Sequence, residues 1–259
     1  MARKLSIREK ILEYFVAPKP TFPTKPFIIG ILLTIILIYL LNITNFDKYL
    51  VIGILGSLLI SVIPFLTFLK KNHRYKSRPS DNQMDIWLWN DFKNIIENDA
   101  LAKLGLDKSE LVAESLVIPG PIYWDNVYGI NKSEILRKLG FDYNYRYSIW
   151  NIQIFIFTEN FLANYGCYYN WIRNTSINEC TNEFFYKDVI SIKTSSQSTA
   201  YTLVNGSKLE HSQIFQLKLP GDEIFVITND SELKVSSEMT SRADKAIQSI
   251  RSMLRQKKT

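Results

Sequence analysis

Two uncharged stretches near the N-terminus constrain this chain more than any other feature. Residues 27–46 (FIIGILLTIILIYLLNITNF) form the first and residues 49–69 the second, with only Asp47 and Lys48 between them. Twenty helical residues span roughly 30 Å, the thickness of the hydrocarbon layer of a bilayer. Two such runs joined by so short a link must fold back as antiparallel neighbours. The reading is therefore a membrane α-helical hairpin over 27–69, with spans at 27–46 and 49–69. Buried helices of a soluble core would need a polar stripe or large covering layers, and the sequence offers neither. A cleaved signal peptide fits poorly, because the apolar run starts late, is too long, and leads into a second run rather than a small-residue cleavage site.

Charge orients the hairpin. Six bases lie in residues 1–26 and five more in 70–78, namely Lys70, Lys71, Arg74, Lys76 and Arg78. Lys and Arg resist translocation, so both termini are expected in the cytoplasm and the link at Asp47-Lys48 on the far side of the cell (inner) membrane. Tyr39, Phe46 and Tyr49 fall near that far interface, where aromatic rings prefer to lie. The net charge of +6 is a property of these flanks: from residue 79 onward there are 19 Lys and Arg against 22 Asp and Glu. A slightly acidic domain gives no reason to expect a nucleic-acid partner.

Inside the spans, Gly53, Ser57 and Ser61 recur every four residues and share a helix face, and Gly30 and Thr34 offer a matching face on the first span. Small residues let helix backbones approach closely, so these five are the candidate helix-packing residues, within the hairpin or in a homo-oligomer. Neither span contains an Asp, Glu, Lys, Arg or His, which argues against an ion or proton path. Pro64 is expected to kink the second span. The five bases after that span are the candidate lipid-headgroup contacts, and membrane lipids are the first expected partners. In residues 1–26, LSIREKILEYFV places Ser6 and Glu9 in capping-box spacing and Ile7, Ile11, Tyr14 and Phe15 on one side. That is a short amphipathic helix, fit to lie on a membrane or to pack on the domain, and a Pro-rich linker comes after it.

Beyond a basic juxtamembrane linker at 70–83, the chain reads as an α+β cytoplasmic domain in two parts. A helical part over 84–145 opens with MDIWLWNDFKNIIENDALAKL, whose Ile86, Trp89, Phe92, Ile95 and Ile96 keep helical spacing. A turn at Ser109–Ala113, another at Pro119-Gly120-Pro121 and a short helix at 132–139 complete it. From 146 to 259 the period changes to two. Strands are expected from Arg146 to about Thr158, over 161–169 with a bulge at Gly166, over 183–193 and over 199–204. A hairpin of 214–219 and 223–228 turns at Pro220-Gly221-Asp222, and an amphipathic helix closes the chain from about Glu238 to Gln256.

The stretches FFYKDVISIK, IFQLKL, EIFVIT and the terminal AIQSIRSML, in this order, resemble the pleckstrin-homology-like (PH-like) tails of small bacterial membrane proteins. The resemblance covers about 146–256, less than half the chain. It implies an antiparallel PH-like sheet or barrel capped by a C-terminal helix, and a module that binds lipids or proteins. It transfers no binding residue to this sequence.

Chemistry is sparse. There is no G-x-S-x-G elbow, H-E-x-x-H helix, phosphate-binding loop or dinucleotide fingerprint. Cys167, Cys180, His73 and His211 are too few and too scattered for a zinc site, and no metal or other cofactor is implied. Asp81, Asp85 and Asp91 fall near a helix start, where acids suit the dipole. The sequence thus points to a non-enzymatic, membrane-anchored protein whose cytoplasmic domain binds an unidentified protein partner or the lipid surface. The alternative is an oligomeric pore or membrane-disrupting effector, built on the Gly53/Ser57/Ser61 face. An enzyme using the acidic and aromatic residues around Trp124-Asp125 is the weakest reading.

Overall fold

The computed structural model describes residues 5–43, 48–199, 201–230 and 232–257. The chain divides into two compact units: residues 16–78 form one, and residues 1–15 together with 79–259 form the other. The first helix, α1 (Ile7–Val16), belongs mostly to the second unit. The amphipathic face read from the sequence explains why: Ile11, Tyr14 and Phe15 are buried there, while Ile7 stays exposed. Of the two places offered to this helix, its apolar face occupies the domain.

The smaller unit holds α2 (Thr24–Ile43) and α3 (Lys48–Lys76), two helices long and apolar enough to cross a membrane. Residues 44–47, which include the expected tip residues Phe46 and Asp47, lie outside the described residues. Most apolar side chains of both helices are exposed, Ile35 by 58% and Ile52 by 64% among them. A helix of a soluble core would bury those groups. Helix α3 runs without a break past Pro64 and past the uncharged run to Lys76. Lys70, Lys71, Arg74 and Lys76 are therefore helical and not part of a linker starting at 70, since nothing from Leu69 to Lys76 stops an α-helix.

In the larger unit, Ser80 caps α4 (Asp81–Asn94), its hydroxyl accepting from the Gln83 N–H. A π-helical turn over Ile95–Ala100 carries it into α5 (Leu101–Leu104), which ends on Gly105 in the left-handed conformation. The helix read over 84–104 is thus present and starts three residues earlier. The expected helical part over 84–145, however, does not stand apart from the sheet. Strand β1 (Leu116–Ile122) contains Pro119-Gly120-Pro121, whose composition predicts a turn. It is followed by β2 (Arg137–Leu139), β3 (Tyr145–Tyr147) and β4 (Ile149–Phe157), and β1 pairs antiparallel with β4 along its whole length. Prolines two residues apart place their ring nitrogens on the same edge, which an outer strand tolerates. Gly120 is required by proximity, since a Cβ there would lie 2.5 Å from the Ile227 carbonyl oxygen. The expected helix at 132–139 is a 3-10 turn (Lys132–Glu134) leading into β2.

Strands β5 (Phe161–Asn170) and β6 (Thr175–Phe185) complete a four-stranded antiparallel sheet of order β1-β4-β5-β6. Its register shifts between Gly166 and Tyr168, where a bulge was expected. The strand read over 183–193 is split: Tyr186–Asp188 forms a 3-10 turn between β6 and β7 (Ser191–Gln197). The strand read over 199–204 is instead an irregular segment with isolated bridges, and residue 200 is outside the described residues. Strands β8 (Ser212–Leu219) and β9 (Asp222–Asn229) form the expected hairpin, and β7-β8-β9 is a second antiparallel sheet. Helix α6 (Ser237–Lys257) closes the chain with Met239, Ala243, Ala246, Ile247, Ile250 and Leu254 buried.

Strand β4, inside the four-stranded sheet, is buried on both faces. Trp150, Ile152, Ile154 and Ile156 of β4 join the core that also contains Ile11 and Tyr14 of α1 and Met84, Leu88 and Phe92 of α4. Phe155 and Phe157, pointing the opposite way, join a second core with Phe215, Leu217, Val226 and Ala246, Ile247, Ile250 and Leu254 of α6. Period-two alternation assigns the two sets to opposite faces, so one strand serves two cores.

Candidate functional site

The hairpin brings four of the five small residues together. Thr34 Oγ1 and Ser57 Oγ are 2.7 Å apart, the Thr34 hydroxyl also reaches the Gly30 carbonyl at 2.8 Å, and Ser57 and Ser61 are buried beside them. A Cβ on Gly30 would collide with Ser61 Oγ and lie 2.8 Å from the Ser57 carbonyl oxygen. Gly53 lies further along the seam, where a Cβ would meet Leu37 at 3.3 Å. At the other end, the Phe22 ring packs edge-on against Phe27, Phe65 and Phe68.

Of the five candidate headgroup residues, Lys70, Lys71, Arg74 and Lys76 are exposed on the last turns of α3, and Arg78 stacks its guanidinium 4.0 Å over the Tyr75 ring. A helix end is a favourable place for bases, because the carbonyl end of the dipole is negative.

Sequence reading missed the ion-pair network of the domain. Asp81, Asp85 and Asp91, acids near the start of α4, are acceptors for distant partners. Tyr14 donates to Asp81 Oδ1 at 2.6 Å, and the Phe141 N–H donates to Asp81 Oδ2 at 2.7 Å. Arg146, only 5% exposed at its side chain, donates Nε and Nη2 to Asp85 and Nη1 and Nη2 to Asp142. Burial opposes the Arg146 charge, yet the hydrogen bonds it donates to Asp85 and Asp142 outweigh that penalty and hold the guanidinium protonated. The same bonds from Arg146 hold the Asp142 carboxyl down at about 2. A second cluster pins α1: Arg8 makes a two-armed pair with Asp91 at 2.7 and 2.8 Å, and the Trp171 indole N–H donates to Asp91 at 2.8 Å. Bidentate guanidinium–carboxylate pairs are directional, so each fixes the approach of one element to another. The only local signal was the i,i+4 spacing of Asp142 and Arg146; the remaining partners are 60 to 83 residues apart.

The residues weighed for chemistry in the sequence are dispersed over the domain. Trp124 stacks on Tyr201 at 4.7 Å, and Asp125 pairs with Lys132 at 2.6 Å. Asp230 accepts from the Ser212 hydroxyl and from the His211 backbone N–H, so the His211 ring takes no part in those two bonds. Cys167 is buried, with its thiol pushed up to about 12, and Cys180 is exposed. Among the described residues no three His, Cys, Asp or Glu side chains are grouped to hold a metal ion. A polar hollow of about 350 Å³ lies between β7–β8 and α6, lined by Ser195, Gln213, Thr228, Asp244 and Arg251.

No protein-family model, curated protein or solved structure matches the chain. The geometry itself defines the class: a mostly antiparallel β domain with a C-terminal helix, into whose sequence a two-helix apolar hairpin is inserted. Residues on both sides of the insertion, 5–15 and 79–257, build the one domain.

Proposed function

We propose that this chain is a two-span bacterial inner-membrane protein whose domain is a non-enzymatic, PH-like binding module held at the cytoplasmic membrane surface. One observation carries the reading: the apolar hairpin enters and leaves through a single folded body. Tyr14, just before the hairpin, is bonded to Asp81, just after it. Whatever the hairpin crosses, both of its ends lie on one side, and the excess of flanking Lys and Arg assigns that side to the cytoplasm. The PH-like assignment is supported by the arrangement of four antiparallel strands, then three, then a helix whose apolar stripe joins the core between them. It then begins at β1, about 30 residues before the resemblance read from sequence. The pore alternative drew on the small-residue face, and much of that face is engaged inside one hairpin.

Exposed Cys180 supplies the topology test. A membrane-impermeant maleimide should label it in opened cells and spare it in intact ones. Labelling of intact cells would refute the cytoplasmic assignment. Crosslinking in intact cells tests the binding role, with a specific co-purifying protein or lipid expected; a purified full-length protein that turned over a lipid or nucleotide, and lost this on a point mutation, would refute it.

A further inference from the structure

We infer that the β2–β3 turn is a second membrane contact, in which Phe141 and Tyr143 enter the headgroup region of the same leaflet from which the hairpin emerges. Phe141 and Tyr143 are 79% and 80% exposed, and Leu139 beside them is 47% exposed. A flexible loop could fold such rings away. This one is held: the Phe141 N–H is bound to Asp81, Asp142 is locked to Arg146, and Gly140 packs so closely on both that a Cβ would collide with Arg146 Nη1 and lie 2.8 Å from Asp81 Oδ2. Tyr143 is kept at φ 61, a conformation that non-glycine residues adopt at a cost. Two aromatic rings are thus presented to solvent by an ionic lattice centred on the buried Arg146.

The occupant follows from where that lattice lies. Asp81 is bonded at once to the turn and to Tyr14, so the turn adjoins both points at which the chain leaves the domain for the hairpin. Between the last uncharged residue, Leu69, and Asp81, seven residues are helical and four are not. With seven helical rises of 1.5 Å and five further steps of at most about 3.5 Å, that connection reaches no more than about 28 Å. The end of the domain carrying Phe141 and Tyr143 is therefore the end leashed to the lipid. Aromatic side chains with a polar tip or backbone nearby favour the membrane–water boundary. The one charge in 139–145, Asp142, is paired with Arg146, which also holds Asp85, and the bases that follow Leu69 in the chain favour anionic headgroups.

This rests on the proposed insertion of the hairpin, and the test separates the two. Full-length protein carrying Cys180→Ser, with the buried Cys167 retained, would receive one added cysteine at Phe141, Tyr143, Tyr128 or Ile36. Each is labelled with an environment-sensitive fluorophore and reconstituted in discs of phosphatidylcholine and phosphatidylglycerol. Tyr128 is 88% exposed and serves as the water control; Ile36, mid-span and 54% exposed, reports the hairpin. Labels at 141 and 143 should show blue-shifted emission and quenching by a lipid-borne quencher, as should the label at 36, while 128 shows neither. If 36 is quenched but 141 and 143 read like 128, the turn contact is overturned and the hairpin stands. If 36 is not quenched, the hairpin reading fails and takes the contact with it. Blue shift at 141 and 143 only after cell extract is added assigns the turn to a protein, and also overturns the proposal.

Discussion

Replacing Arg146 with Met tests the lattice that positions both the turn and the hairpin exits. Met keeps much of the stem and removes the guanidinium, stranding Asp85 and Asp142 without their main partner. Breaking a fully buried pair typically costs 3–5 kcal/mol, because the abandoned charge stays desolvated. Here the carboxylates are 26% and 40% exposed, so water can rehydrate them and the cost falls to about 2–3 kcal/mol. For a domain of this size that corresponds to a melting point lower by about 5–10 °C. Tryptophan fluorescence during urea unfolding in detergent reads it directly, since Trp150 lies in the same core. The pH dependence adds a sign. Asp142 is depressed to about 2 from an ordinary 3.8, so its stabilisation is complete above 3.8 and is lost as pH falls through about 2. The substitution removes that depression, so the gap between the two proteins should narrow as pH drops across this window. A loss below about 1 kcal/mol, the size of a surface pair, or a gap unchanged at low pH, would refute the reasoning.

Tyr14→Phe should cost about 1–2 kcal/mol in the same unfolding assay, since it deletes a 2.6 Å hydrogen bond to a carboxylate from a fully buried side chain. Gly30→Leu has no space against the Ser57 and Ser61 backbone, so it should separate α2 from α3 and abolish disulfide crosslinking between engineered cysteines across that seam. Cys180 should react with a maleimide in the folded protein while Cys167 stays unreactive until urea unfolds the domain, because burial both shields its thiol and raises it to about 12.

The sequence alone determined every element whose information is local. The hairpin follows from uninterrupted apolar runs of bilayer length, which no distant residue can disguise. Helix α6 and the β8–β9 hairpin follow in the same way from a clean helical stripe and from Pro220-Gly221 between alternating strands. Tertiary structure decided the rest, because the deciding partners are far away in the chain. Pro119-Gly120-Pro121 has turn composition, and only pairing with β4 and the close backbone of β9 make it a strand. Strand β6 lies mostly exposed on an outer edge, so it carries no apolar alternation to betray it. The apolar face of α1 would suit lipid as well as protein until Arg8 meets Asp91, and an acid at a helix start looks like a dipole partner until Arg146 arrives from 61 residues away. Hydrophobic periodicity is written residue by residue, whereas an ion pair is legible only after the fold has brought its two halves together.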